Sequence, residues 1–393
     1  MAEWACGGSA TWAGNSSETG TRSFRRDHRC TLAMAFDHQP VEVVGLDTNH
    51  DRSMWTFVRT RYGVHMTSDG HTLEGTDVSI PLLGVGTWSW GDRSTWGMGG
   101  YDTHLTRASI QEAWNASIDA GVTLFDTAEV YGKGESERII GELLAGDPGR
   151  AASVVVATKF MPSPWKLQVR GALMKSLRLS LGRLGVPAVD LYQIHGPVSL
   201  RSHAAMADAL AAAHEAGLVK AVGVSNYSVK ETRSIDAELR KRGLRLATNQ
   251  IEFSLLRRAP ETSGLLAACK DLGVVPLAYS PIGQGRLTGK YSVARPPQGK
   301  RNFSNHPMGV VDGVVGELRR VGEKHGGKTP SQVALNWVIA KGVVPIPGAK
   351  DRHQAEENAG ALHWSIDGDD IVSLDQVSLG GVRSFQNRIW QHG

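Results

Sequence analysis

A closed (β/α)8 barrel is the architecture this sequence predicts, and two observations carry the prediction. Eight short, β-rich apolar runs recur at 82–87, 123–126, 154–159, 189–195, 219–225, 247–251, 274–279 and 343–347, and helical patterns fill the intervals between them. Runs such as "VVVATK" and "DLYQIH" are apolar almost to their last residue, as parallel strands covered on both faces require. A doubly wound open sheet shows the same alternation and is the second candidate. It wants a glycine fingerprint on its first turn, and the sequence there is "GVGTWSWG", not G-x-G-x-x-G. "GQGRLTGKY" is no phosphate loop either, because its glycine spacing is wrong and Tyr291 stands where Ser or Thr is needed.

The elements follow in order. "HTLEGTDVSIPLLGVGTW" (71–88) alternates around a Gly-Thr-Asp turn, which predicts a small hairpin leading into the first strand. Helical periodicity then appears at 107–120, 135–145, 166–184, 203–216, 229–242, 262–272, 313–341 in two pieces, and 351–361. The barrel therefore occupies 71–393, and residues 1–70 stand apart as an N-terminal extension, disordered or loosely attached. Up to about residue 65 that extension shows no periodic pattern longer than a few residues. Residues 1–65 hold seven Arg and no Lys, the first lysine of the chain being Lys133, and they also hold seven Asp or Glu. An acid-bearing segment fits a transit peptide badly, and there is no secretory apolar region. A start at Met66, where the regular pattern begins, is the other reading.

Composition excludes several function classes. A formal charge of +4 spread over 393 residues, with no dense Lys/Arg run, gives no reason to invoke nucleic acid. No stretch approaches the ~18 consecutive apolar residues of a membrane span. Cys6, Cys30 and Cys269 have neither metal-ligand nor disulfide spacing, which suits a reducing compartment and predicts a cytoplasmic protein without a metal.

In a barrel of this kind the chemistry sits at the C-terminal ends of the strands. Three successive runs end in Asp126, Lys159 and His195, and Tyr131 follows Asp126 in a Gly-rich loop, "LFDTAEVYGKGESE". A phenol alone titrates near pH ~10 and is a poor acid at neutral pH. A neighbouring ammonium favours phenolate, an aspartate would hold that ammonium charged, and a histidine could hydrogen-bond a substrate oxygen or relay a proton. Singly, each residue has an ordinary explanation: a loop anchor, a helix cap, a strand-end charge, a turn histidine. Four together at one mouth point to a general acid. Trp88, Trp90 and Trp96, in the loop after the first strand, are candidate apolar walls for a substrate. Cys269 lies on the apolar side of a helix and reads as inert core.

The segments "LFDTAEVYGKGESE", "VVVATKF", "DLYQIHGP", "VKAVGVSNYS", "NQIEFSLL", "PLAYSPIGQGRLTGKY" and "PIPGAKDRHQAEENAGAL" resemble, in order, the conserved segments of the aldo-keto reductases. The resemblance runs from about Gly75 to the C-terminus. "PIPGAK" with "QAEEN" and the Trp-rich "GTWSWGDRSTWG" are most similar to the bacterial and plant-plastid branch, which makes a plastid the alternative location. It implies an NADPH-dependent carbonyl reductase with Asp126, Tyr131, Lys159 and His195 as catalytic tetrad. It also implies a C-terminal segment over the active-site mouth, from which Trp390 could join the apolar wall, and a cofactor site. Gly86, Thr87, Trp88 and Asp126 would border it. Ser225, Asn226 and Gln250 would hold the nicotinamide carboxamide, and Tyr279 would stack on the ring. Ser280, Pro281, Ile282 and Gly283 would follow the pyrophosphate. Gly348, Ala349 and Lys350 would line the 2′-phosphate side, with Arg352 and Gln354 near it, and Glu357 and Asn358 would hold the adenine. Many relatives carry Arg four residues before that Asn, where this chain has Gln354.

Two functions are compatible with such a site. One is an oxidoreductase that reduces an aldehyde or ketone. The other is a regulatory subunit that keeps its nucleotide to sense redox state while docking a partner. A docking subunit should carry an extra interaction surface, and the extension lacks an apolar or heptad stripe, which favours the enzyme.

Overall fold

The structure is a computed structural model and describes residues 70–91, 105–297, 303, 305–382 and 385–393, together with 33–36 and 39–42. The chain divides into two units, Met1–Gly63 and Val64–Gly393. In the first, Ala33–Phe36 pairs antiparallel with Gln39–Glu42. Strands of four residues are too short for alternation to be legible in sequence.

The second unit is built on eight parallel strands. They are β1 (Gly84–Gly86), β2 (Leu124–Asp126), β3 (Val155–Phe160), β4 (Val189–Ile194), β5 (Val219–Ser225), β6 (Leu246–Glu252), β7 (Val275–Tyr279) and β8 (Val344–Pro345), each paired with the next in sequence. Outside them run α1 (Arg107–Asp119), α2 (Glu135–Gly146), α3 (Val169–Leu184), α4 (His203–Glu215), α5 (Val229–Arg240), α6 (Leu265–Leu272), α7 (Met308–Lys324), α8 (Pro330–Ala340) and α9 (Arg352–Ala359). Where helices begin, local chemistry is visible: Thr106, Ser228 and Thr329 each form a reciprocal capping box at the start of α1, α5 and α8. The barrel is nearly closed where β1 meets the end of β8, the Gly86 N–H donating to Pro347 O at 2.9 Å. The backbones come so close there that a Cβ on Gly86 would lie 2.8 Å from Ile346 O.

Side chains alternate along a strand, so every second one enters the barrel. Leu124, Ala157, Leu191, Ala221, Ala247, Leu277 and Val344 form an apolar floor. The hairpin of His71–Thr72 with Ser79–Ile80 plugs the N-terminal end, its Leu73, Val78 and Ile80 packing into the same cluster. The residues between, such as Phe125, Phe160, Tyr192, Ile194 and Val224, face outward into the helix layer with Trp114 and Leu177. Two residues beyond the floor on β2, β3, β4 and β7 come Asp126, Lys159, Gln193 and Tyr279, and β6 adds Thr248 and Gln250 to this polar layer. An irregularity of register between Leu246 and Thr248 lets both Ala247 join the floor and Thr248 join the polar layer. Gly223 leaves room in that layer, since a Cβ there would lie 2.1 Å from Thr248 Oγ1.

The close approach at the barrel seam predicts that Gly86→Ala destabilises the fold by about 1–3 kcal/mol, the usual cost of overpacking. Equilibrium denaturation checks it, and a variant as stable as wild type would mean that the seam opens without cost.

Candidate active site

Strand ends bring the predicted residues to one mouth. Asp126 ends β2, Lys159 is the penultimate residue of β3, and His195 follows β4. Asp126 and Lys159 are buried, with side chains 3% and 0% exposed. Lys159 Nζ donates to Asp126 Oδ1 at 2.5 Å and to Thr127 O at 2.8 Å. The second carboxylate oxygen, Oδ2, accepts from Gln250 Nε2 at 2.8 Å and Gln193 Nε2 at 3.2 Å. Burial pushes the Lys159 ammonium below its usual pKa, and the Asp126 carboxylate opposes that shift. His195 is driven well below 6.5 by burial and then by the Lys159 charge, so its imidazole is neutral at neutral pH. Its Nδ1 has no hydrogen-bond partner among the described residues.

Tyr131 stands over this pair. Lys159 Nζ lies 5.1 Å from its ring centroid, and the His195 ring meets it edge-on at 5.6 Å. Its loop is pinned from beneath by a buried hydroxyl cluster. Thr87 Oγ1 donates to Asp126 O at 2.9 Å, Ser136 Oγ to Thr87 O at 3.0 Å, and Thr127 Oγ1 to Ser136 Oγ at 2.9 Å. Gly132, next to Tyr131, has φ 59° and lies against Gly91, whose carbonyl oxygen a Cβ would meet at 1.9 Å. The loop turns there only because no side chain is present.

Aromatic rings surround the opening. Trp88 lies 6.5 Å from Tyr131 and 6.1 Å from Phe303, which lies 5.3 Å from Tyr279, and Trp390 meets His195 at 5.5 Å. Trp90 turns the other way. It is 3% exposed, packs on Phe125, and donates through its indole to Ala349 O at 2.7 Å. Residues Trp88–Gly91 form one helical turn, and residues two apart in a helix point about 200° apart, so Trp88 and Trp90 cannot share a wall. Trp96 lies outside the described residues.

The residues expected at the cofactor gather beside this mouth. Ser225 Oγ donates to Gln250 O at 2.9 Å, Asn226 Nδ2 donates to Ser225 Oγ at 3.0 Å, and Tyr279 OH donates to Asn226 Oδ1 at 2.8 Å. Burial pushes the Tyr279 phenol above its usual pKa. Left-handed backbone recurs at Asn226 (φ 64°), Ser280 (φ 51°) and Gly283 (φ 56°), while the Asn226 N–H donates to Gln250 O at 2.8 Å and the Gly283 N–H to Ser280 O at 2.9 Å. Pro281 is buried, and Ile282 is half-buried between them. Two amides, a hydroxyl and a phenol ring stand together here, a set that suits a carboxamide and a flat ring.

At the far end, Gly348 is exposed, Ala349 buried and Lys350 half-buried ahead of α9. Gln354 caps this turn, its Oε1 accepting from Lys350 N–H at 3.3 Å and its Nε2 donating to Asp351 Oδ2 at 3.1 Å. Arg352 points along the outside of α9 to Glu356 at 3.2 Å. The Glu357 carboxylate accepts from the Thr329 hydroxyl, and Asn358 Nδ2 donates to Gly348 O at 3.2 Å. Among the described residues one group has metal-ligand proximity, His325, Asp367 and Asp370, remote from this mouth. Lys324 and Arg320 already neutralise it.

A model of the aldo/keto reductase family matches residues 82–379. The chain belongs to the aldo/keto reductase family. It is an oxidoreductase on a (β/α)8 barrel. Pyridoxal reductase of Arabidopsis thaliana, a chloroplastic protein, is 37% identical over 328 residues, 80% of this chain and 87% of the relative. L-glyceraldehyde 3-phosphate reductase of Escherichia coli is 29% identical, over 79% of this chain and 92% of its own. The crystal structure of an aldo-keto reductase from Klebsiella pneumoniae in complex with NADPH is 25% identical, with a TM-score of 0.62, covering 80% of this chain and 96% of that one. Among the described residues of the reductase, no helix is long and apolar enough to cross a membrane.

Sequence reasoning missed Gln193, Thr248 and Gln391. Gln193 lies two residues before His195, so the period of a strand already placed it on the same inner face. Gln391 carried no signal, because its partners Glu252 and Tyr279 are distant in sequence and it belongs to no recognisable segment.

His195 predicts an acid sensitivity. A histidine whose folded pKa lies below its unfolded value stabilises the fold fully above about pH 6.5. That stability is lost as pH falls from there through the folded pKa. Melting temperature measured from pH 8 to 5 should fall for wild type and fall less for His195→Gln. His71 and His203, also shifted down by burial, leave a residual slope. Equal slopes would show that His195 does not titrate out of the folded state.

Proposed function

We propose that this reductase converts an aldehyde or ketone to an alcohol with NADPH. The observation that carries the reading is the buried Lys159–Asp126 pair beneath Tyr131, with neutral His195 alongside. When bound, NADPH supplies the hydride that reaches the carbonyl carbon. The Tyr131 hydroxyl gives its proton to the carbonyl oxygen. Lys159, held charged by Asp126, stabilises the phenolate left behind. His195, neutral, can hydrogen-bond the same oxygen without competing as a charge. Ser225, Asn226 and Gln250 orient the carboxamide, and Tyr279 offers its ring face.

The aromatic rim supports a planar, aromatic aldehyde over a sugar, and the Arabidopsis relative's name makes pyridoxal the first compound to test. Preference for the 2′-phosphate is assigned to Lys350, the cation just ahead of α9; Arg352 lies along the outside of that helix and Gln354 carries no charge.

Tyr131→Phe keeps the ring and loses the proton donor. Its kcat for pyridoxal should fall by about 10²–10⁴-fold, the usual worth of a general acid, while Kd for NADPH stays within about twofold of wild type. Near wild-type kcat where chemistry is rate-limiting would remove Tyr131 from the mechanism. One charge-assisted hydrogen bond is worth roughly 1.5–3 kcal/mol, and a single half-buried lysine belongs at the low end. NADPH should therefore bind about 10-fold tighter than NADH. Lys350→Ala should erase that ratio, and Arg352→Ala should leave it. Parallel losses for both cofactors would detach Lys350 from the phosphate.

A further inference from the structure

The last three residues of the chain described, Gln391, His392 and Gly393, are bound to the nicotinamide end of the site more closely than a surface tail needs. Gln391 is 8% exposed. Its Nε2 donates to Tyr279 OH at 3.0 Å and to the Glu252 carboxylate. The Tyr279 hydroxyl in turn donates a hydrogen bond to Asn226 Oδ1 at 2.8 Å. The same Asn226 is held from its other side, where His392 N–H donates to Asn226 O at 3.2 Å. Asn226 sits in the left-handed region, φ 64°, which Asn adopts more readily than most side chains.

Two further contacts seat the tail. His392 Nδ1 meets Glu231 Oε1 at 2.9 Å, and the Arg257 guanidinium donates to Gly393 O. Gly393 fits where nothing larger would, a Cβ falling 2.9 Å from both Leu265 Cδ2 and Tyr227 O. The acidic Glu252 beneath Gln391 is 2% exposed, so the amide is held by a buried carboxylate and cannot swing away freely.

We infer that Gln391 is a positioning residue for the cofactor: through the Tyr279 hydroxyl it fixes Asn226 in the geometry that receives the nicotinamide carboxamide. The inference rests on the proposed NADPH site. Gln391 need not touch the cofactor. It acts by making the receiving groups rigid before binding, so that less ordering is left to occur on binding.

The experiment is a double-mutant cycle on Gln391→Ala and Tyr279→Phe, read as Kd for NADPH by fluorescence and as melting temperature. A net hydrogen bond of ordinary strength corresponds to about 2–10-fold in affinity. Gln391→Ala should weaken NADPH binding by that factor in the wild-type background and by much less in Tyr279→Phe, which already lacks the hydroxyl. Gln391→Glu, which cannot donate to Tyr279 when ionised, should behave like Gln391→Ala if it folds. A purely structural role would lower the melting temperature and leave Kd of the folded protein unchanged, which overturns the inference. So would equal, additive losses in both backgrounds. Wild-type protein that binds no NADPH would overturn the functional reading itself, and the inference with it.

Discussion

An ammonium and a carboxylate almost sealed from water, Lys159 and Asp126, set the terms for the whole mouth. Desolvating such a pair costs several kcal/mol per ion, and their attraction offsets this only when the remaining donors and lone pairs are satisfied. Thr127 O, Gln193 and Gln250 supply that satisfaction. Together these groups come from β2, its following loop, β3, β4 and β6. Each of those strands must hold its register, because a slip of one residue would turn its polar side chain out into the helix layer. The apolar floor two residues below is the same constraint seen from underneath. Leu124, Ala157 and Leu191 lie one period before Asp126, Lys159 and Gln193, and they keep water from reaching the pair from the barrel interior.

The loops then place what the strands cannot. Tyr131 is not on a strand, and its position depends on backbone meeting backbone at Gly132 and Gly91 over the Thr87–Thr127–Ser136 hydroxyl cluster. The seam at Gly86 is a second such approach. In both places an absent side chain is the feature that matters. On the opposite side of the mouth the C-terminal residues do the corresponding work, Trp390 against His195 and Gln391 against Tyr279. The mouth is thus closed from two directions by segments that contribute few strand hydrogen bonds.

Electrostatics divides the titratable groups by role. Burial pushes both His195 and Lys159 toward their neutral forms, but only Lys159 has a carboxylate in contact to oppose it. The imidazole is left neutral, while Asp126 supports the charged form of the lysine. Two groups beside the Tyr131 ring thereby differ in character, a neutral imidazole and a cation.

Eight strand positions, nine helices, the terminal hairpin and the Asp126–Tyr131–Lys159–His195 grouping were legible in the amino-acid sequence. The elements follow from short-range periodicity and the grouping from the rule that parallel strands end at one rim, Tyr131 coming in the loop just past one of those ends. The direction of Trp90 was not, because it hangs on a single helical turn at Trp88–Gly91 that four residues are too few to announce. Nor was the outward course of Arg352, which meets Glu356 one turn away on the exposed side of its helix. The partners of Gln391 were decided only by tertiary structure. Glu252 and Tyr279 lie 139 and 112 residues away, and no local pattern encodes a hydrogen bond between a tail and two strands that the closed barrel alone brings together. Local sequence determines what each segment is; which buried polar groups must satisfy one another is settled only when the barrel closes and water is gone.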